Sequence, residues 1–348
     1  MHDIDLQKIS ALISQKLNRP VDLIAIEKVG SGYHSDGFKL TARDGQQFFL
    51  KRVKSHDLGF ETPERKVMSL LVSNGMHRRS GLTPQPIGVI LDNGDEAGII
   101  PEVTEDTAIY HVQEFEPEGV SYWSQLGERK QKITVDETDL AELEKITDYI
   151  TTLHTVSHPS QDPERLKSVY NDGLRNVLIN PELTVMLLHD FTDDHALLPA
   201  RDHGEYVGLM LNLIHKWKNR SDRLAALHGD FWGANVFFKP DGSLWVIDYS
   251  RIAWGDRGID VGWWLSQYLW FYHETQNPYF KELGETFLEI YIAKSGDAEI
   301  RDAVALVLGL MGIIYITPRF YPNLDPIIGR RFFDVIQTIL REQRFVWE

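Results

Sequence analysis

The chain changes its grammar near residue 117, and that change limits the folds open to it more than any other feature. Up to that point, apolar and β-branched runs at 21–29, 36–43, 46–53, 85–91 and 108–115 are joined by Gly-rich or Asp-Gly turns, the pattern of hairpin-linked strands. Two stretches of this front third have helical spacing instead. Ile4, Ile9, Leu12, Ile13 and Leu17 form one, stopped at Pro20, and Glu61 to Asn74 forms the other, entered through Thr62-Pro63 and ended at Asn74-Gly75. Beyond 117 the segments 137–157, 206–219, 260–274, 278–294, 298–316 and 328–344 all read as helices, and Leu224–Asp248 is one strand-rich island among them. The expectation is an α+β chain of two lobes: an antiparallel sheet lobe over residues 1–117 carrying one main helix, and a larger, mainly helical lobe over 118–348.

Charge narrows the function. With 36 Lys and Arg against 51 Asp and Glu, the net charge of −15 repels nucleic-acid backbones and anionic membrane surfaces, and favours an amine-bearing small molecule where a charge preference exists. No cysteine is present, which removes thiolate nucleophiles, disulfides and cysteine-ligated metals. The N-terminus has no signal-peptide pattern, and the longest apolar run, the 14 residues from Ala303 to Ile316, reads as a buried helix. At about 21 Å it is shorter than a bilayer core. A cytoplasmic protein without membrane or nucleic-acid partners is the expectation.

The island carries the chemistry. His228-Gly229-Asp230 runs through Asn235 into Val236-Phe237-Phe238, turns at Asp241-Gly242, and returns through Leu244-Trp245-Val246-Ile247-Asp248. In a two-residue hairpin tipped at Asp241 and Gly242, opposed residues carry numbers summing to 483, which sets Asn235 opposite Asp248. A carboxylate and an amide carbonyl are hard oxygen ligands suited to Mg²⁺ already held by phosphates. A separate carboxylate, Asp230, can accept a proton from a hydroxyl.

His-Gly-Asp-x4-Asn with Ile-Asp thirteen residues later resembles the aminoglycoside phosphotransferase family of protein-kinase-like small-molecule kinases, which includes choline, homoserine, methylthioribose and fructosamine kinases. The resemblance spans roughly residues 20 to 275. It implies a bilobal protein-kinase-like fold and transfer of the ATP γ-phosphate to a hydroxyl of a small acceptor, with Mg²⁺ as cofactor and GTP as the other possible donor. Asp230 then matches the catalytic aspartate, Asn235 and Asp248 the Mg²⁺ ligands, Lys51 the strand lysine on the phosphates, and Glu64 its helix partner, with Glu61 the competitor for that place. Gly30, Ser31, Gly32 and Ser35 match the phosphate-covering loop, and Glu114, Phe115 and Glu116, in a hinge at 114–119, the adenine-side backbone. His228 and Asp260 match residues that brace the catalytic loop at 228–235. The glycine spacing departs from that of protein kinases, and Tyr249-Ser250 stands where Phe-Gly would follow the metal aspartate.

Other readings of these residues are weaker. Gly30-Ser31-Gly32 fails as a dinucleotide fingerprint because Ser35 occupies the third glycine's place and a strand follows. His154 and His158 have zinc-helix spacing, but no acidic base lies between them and Pro159 ends the helix, so packing histidines are expected. Trp263, Trp264, Tyr268 and Trp270 read as core, with an acceptor-pocket wall as the alternative. The acidic stretch at 136–144 reads as a solvated helix face. A protein kinase is disfavoured by the twelve residues from Asp248 to Asp260, too few for a peptide-docking segment; a nucleotide-binding pseudoenzyme with a regulatory role is the remaining alternative.

Overall fold

The computed structural model describes residues 4–32, 34–54, 62, 65–67, 70–71, 85–92, 107–115, 119–178, 181–249 and 253–348. Its backbone divides into two compact units, Met1–Gly119 with Trp245–Arg251, and Val120–Leu244 with Ile252–Glu348.

The first unit is a five-stranded antiparallel sheet in the spatial order Leu23–Ser31, Ser35–Ala42, Gln47–Val53, Ala108–Glu114, Pro86–Asp92. The helix Leu6–Leu17, capped by Asp5 accepting from the Gln7 and Lys8 amides, lays Ile9 and Ile13 on one face. There they meet Leu40, Phe48, Leu50 and Val112, all fully buried. Because strand side chains alternate, the same strand that sends Phe48 and Leu50 into this core sends Phe49 and Lys51 to the opposite face. The pattern of the sequence therefore turns Lys51 away from the helix-covered side. Of the helix expected over 61–74, residues 65–67 and 70–71 are described and helical.

The second unit is mainly helical. Its longest helices are Glu137–His154, Pro163–Leu178, His203–Trp217, Gly258–Thr275, Pro278–Ser295 and Pro326–Glu342. Gly258–Thr275 is apolar on nearly every side and buried from Gly258 to Phe271, with Trp263 and Trp264 inside the core. The apolar run near 303–316 is likewise buried, but it breaks at Val304 into Ile300–Ala303 and Ala305–Ile316. No helix among the described residues is long and apolar enough to cross a membrane. Together the sheet-rich front and helical remainder make the α+β class.

Three helices do not follow from the apolar periodicity of the sequence: Tyr122–Glu128, Pro163–Leu178 and Pro181–His189. In the second, Gly173 weakens the helical signal for a packing reason. A Cβ there would stand 2.5 Å from the Trp254 carbonyl oxygen, so the helix approaches the strand Trp254–Asp256 only where a side chain is missing. The acidic stretch also departs from expectation. Asp139 is not solvated: it is fully buried, closes a capping box with Asp136, and receives Arg129 (3.1 Å), Lys132 (2.6 Å) and the Tyr279 hydroxyl (2.8 Å). Burial, and the carboxylate of Asp139 beside it, push the Tyr279 phenol up.

Candidate active site

Leu227 enters the loop hydrogen-bonded to Ala253, just after the strand Leu224–Ala226 pairs with Trp254–Asp256. A buried ion network fastens this pair of strands. Arg223 reaches Asp256 at 2.8 Å and Asp297 at 2.8 Å, and Asp256 also accepts from the Tyr170 hydroxyl and from the Gly258 amide that starts the next helix. That helix carries Asp260, whose two carboxylate oxygens accept the amides of His228 and Gly229, each at 2.8 Å. His154 approaches the same carboxylate at 3.2 Å and is held on its other ring nitrogen by Tyr291.

From there the loop is pinned donor by donor. Gly229 takes a φ of 80°, a conformation glycine adopts without strain, and turns the chain so that the Asp230 amide meets Nδ1 of His228 at 3.2 Å. The His228 ring thus faces the backbone of its own loop. The Trp232 amide bonds to the Asp230 carbonyl, the Gly233 amide to Oε1 of Gln267 at 2.9 Å, and the Asn235 amide to Trp232. Asn235 closes the loop through its side chain: Nδ2 donates to the Asp230 carbonyl at 2.9 Å and to the Asp230 carboxylate at 3.1 Å. With the amide nitrogen committed there, its carbonyl oxygen is the atom left for a cation. Asp230 itself is 9% exposed.

His154 and Gln267 hold this loop, and the motif reading missed both as parts of it. For His154 the signal lay in its place at the end of a helix whose apolar face is otherwise continuous. Gln267 stands fully buried in an apolar helix, and a buried amide calls for a partner. Close approach shapes the loop as well. A Cβ on Gly233 would lie 2.6 Å from Gln267 Oε1 and 2.7 Å from the Trp123 backbone nitrogen. Gly233→Ala is accordingly expected to cost roughly 1–3 kcal/mol, read as a fall in denaturant midpoint.

The turn after the loop differs from the two-residue form. The Gly242 amide bonds to the Lys239 carbonyl and the Lys239 amide to the Ser243 carbonyl, so three residues span the turn and the opposed pair sums to 482. This is a type I turn closed by glycine rather than a mirror-image two-residue turn. The register slips by one, and Asn235 lies in the short turn Gly233–Asn235 ahead of the strand, so the arithmetic that opposed it to Asp248 does not hold.

In the first unit, the structure brings Lys51 and Asp248 together across 197 residues of sequence, Nζ to Oδ1 at 2.7 Å. Asp248 has a φ of 67°, a left-handed backbone for a residue with a Cβ, of the kind that collects at functional sites. At the glycine hairpin, Gly30 pairs with Gly37, and the Gly32 amide is already bonded to the Ser35 carbonyl at 2.8 Å. The Ser31 hydroxyl donates to Asp36 at 2.7 Å, and Lys54 reaches the Gly32 carbonyl, a cation at the tip that motif matching did not single out. Hydrogen bonds from Lys28 and from Ser31 hold the Asp36 carboxyl below its ordinary range. Glu114 is bonded twice to Gln85, through its own amide at 3.1 Å and its carboxylate at 3.1 Å, while Phe115 stacks on Phe49. Glu61, Glu64 and Glu116 lie outside the described residues.

A model of the phosphotransferase enzyme family matches residues 25–306. No curated protein matches the chain. Among solved structures, it is similar to a choline kinase from Streptococcus pneumoniae, with 13% identity over 97% of this chain and 98% of that one and a TM-score of 0.52. It is similar to a Plasmodium vivax ethanolamine kinase, with 9% identity over 94% and 85% and a TM-score of 0.55. A third is a spectinomycin phosphotransferase in complex with ADP and spectinomycin, with 13% identity over 99% of each chain and a TM-score of 0.51. At such identities the likeness is one of fold, the protein-kinase-like one.

Proposed function

The chain belongs to the phosphotransferase enzyme family, and from that premise we propose that it is a small-molecule kinase moving the γ-phosphoryl group of ATP to an acceptor hydroxyl. The observation that carries this reading is the Asp230 loop: a nearly buried carboxylate on a backbone whose donors are already satisfied, clasped by an asparagine amide. Such a site is organised before substrate arrives. Asp230 takes the proton as the acceptor oxygen forms its bond to phosphorus and the bond to the departing ADP oxygen breaks.

Asn235 offers an amide carbonyl and Asp248 a carboxylate, each a hard-oxygen donor of the kind that suits Mg²⁺. When bound, the ion would neutralise charge on the phosphates. Lys51 orients the phosphates as a fixed cation, its ion pair with Asp248 marking where that charge stands. The glycine hairpin Gly30–Ser35 covers the nucleotide, with Lys54 adding charge at its tip, and the backbone at Glu114 to Glu116 receives the base.

A thermal-shift titration tests the reading: Mg·ATP is expected to raise the melting temperature, and failure of both Mg·ATP and Mg·GTP to do so removes the kinase assignment. Lys51→Met is expected to lower kcat/KM for ATP by on the order of 10²–10³-fold, measured by ADP release in the presence of an acceptor whose hydroxyl becomes phosphorylated. ATP binding with no transfer to any hydroxyl would favour a pseudoenzyme.

A further inference from the structure

A pocket of about 530 Å³ opens in the helical unit. Its size is that of a small-molecule site. Rings dominate the lining: Trp270 and Phe271 form a nearly buried floor, and Trp123, Phe320 and Tyr321 stand half-buried around it. Trp123 joins the pocket to the chemistry. Its ring meets Trp232, two residues past Asp230, edge-on at 5.4 Å, and its backbone packs against Gly233. The opposite wall, 320–325, is preformed, because Arg319 clamps Asp190 through two bonds of 2.7 and 2.6 Å and Thr317 adds a third at 3.0 Å.

The charges of the lining are few and already committed. Glu274 lies 2.8 Å from Lys130, whose ammonium also sits over the Phe271 ring at 5.3 Å. Asp325 accepts the Ile327 amide at 2.7 Å as a helix cap. A polycation entering here would find two engaged carboxylates and a repelling lysine, although the chain as a whole carries −15. Net charge and local charge part company.

Resting on the phosphotransfer reading above, we infer that this pocket holds the acceptor, and that the acceptor is a compact, largely apolar, ring-bearing alcohol with at most one amine, not a polycationic aminosugar. The ring stacks among the aromatic walls, and a single ammonium competes with Lys130 for Glu274 and the ring faces.

The full chain with Mg·ATP tests this, using 2-amino-1-phenylethanol and phenylalaninol as probes and kanamycin as the polycationic comparator. The probes are expected to bind by calorimetry and to be phosphorylated with a kcat/KM at least about tenfold above that of kanamycin. Tyr321→Ala should weaken probe binding about tenfold. Lys130→Gln, which releases Glu274, should shift the preference towards kanamycin, a change that loss of fold would not produce. Preference for kanamycin in the unaltered chain overturns the inference while leaving the kinase reading intact, and so does failure of both probes to bind when Mg·ATP still stabilises the protein. Absence of binding by both Mg·ATP and Mg·GTP would instead remove the kinase reading itself.

Discussion

Asp230→Asn is expected to lower turnover by roughly 10²–10⁴-fold while leaving affinity for Mg·ATP within about twofold. The substitution keeps the shape of the side chain and an oxygen that can still accept from Asn235 Nδ2, now 3.1 Å from the carboxylate. It takes away the negative charge and with it the capacity to receive a proton. None of the amides of His228, Gly229 or Gly233 depends on the Asp230 side chain, since Asp260 and Gln267 satisfy them. Stability should therefore stay within about 1 kcal/mol of the parent, because the amides of His228, Gly229 and Gly233 keep their acceptors. Single-turnover phosphate transfer and nucleotide titration on the same preparation decide the matter. Unchanged turnover would exclude Asp230 as the base. Turnover and nucleotide affinity falling together would make it a cation ligand.

The parts of this site that were legible beforehand are those set by local chemistry. Alternation in Phe48-Phe49-Leu50-Lys51 places the lysine off the core face whatever the rest of the chain does, because side chains along a strand alternate strictly. The His-Gly-Asp-x4-Asn spacing likewise carries its own geometry, ending in the clasp from Asn235 to Asp230. What stayed hidden depended on partners distant in sequence. Asp139 looks like any acidic residue on a helix until Arg129, Lys132 and Tyr279 close over it. The turn at 239–243 shows the reverse limit: Asp-Gly marks a turn correctly, yet one residue more in the loop moves the register and with it every facing pair. Net charge has a similar limit, because −15 is a sum over the whole chain, whereas the charged residues lining the pocket are Lys130, Glu274 and Asp325.

Asp260→Ala should have the opposite signature from Asp230→Asn: a loss of roughly 3–5 kcal/mol in stability, with turnover falling as a consequence. Asp260 is fully buried and serves three donors at once, the amides of His228 and Gly229 and the ring of His154. Alanine leaves all three facing a void that has no acceptor, and each buried unsatisfied donor costs about 1–3 kcal/mol. Since the first two donors begin the loop that carries Asp230, the same loss frees the backbone that holds it. A double-mutant cycle with His154→Leu separates these contributions. If Asp260 acts by holding the loop, the two substitutions together should cost less than their separate costs combined, by an interaction energy of about 0.5–3 kcal/mol, because they share one network. Denaturant unfolding followed by the fluorescence of the helical unit measures it. Full stability in Asp260→Ala with turnover abolished would show instead that Asp260 takes part in the chemistry, and the brace would have to be sought in Gln267.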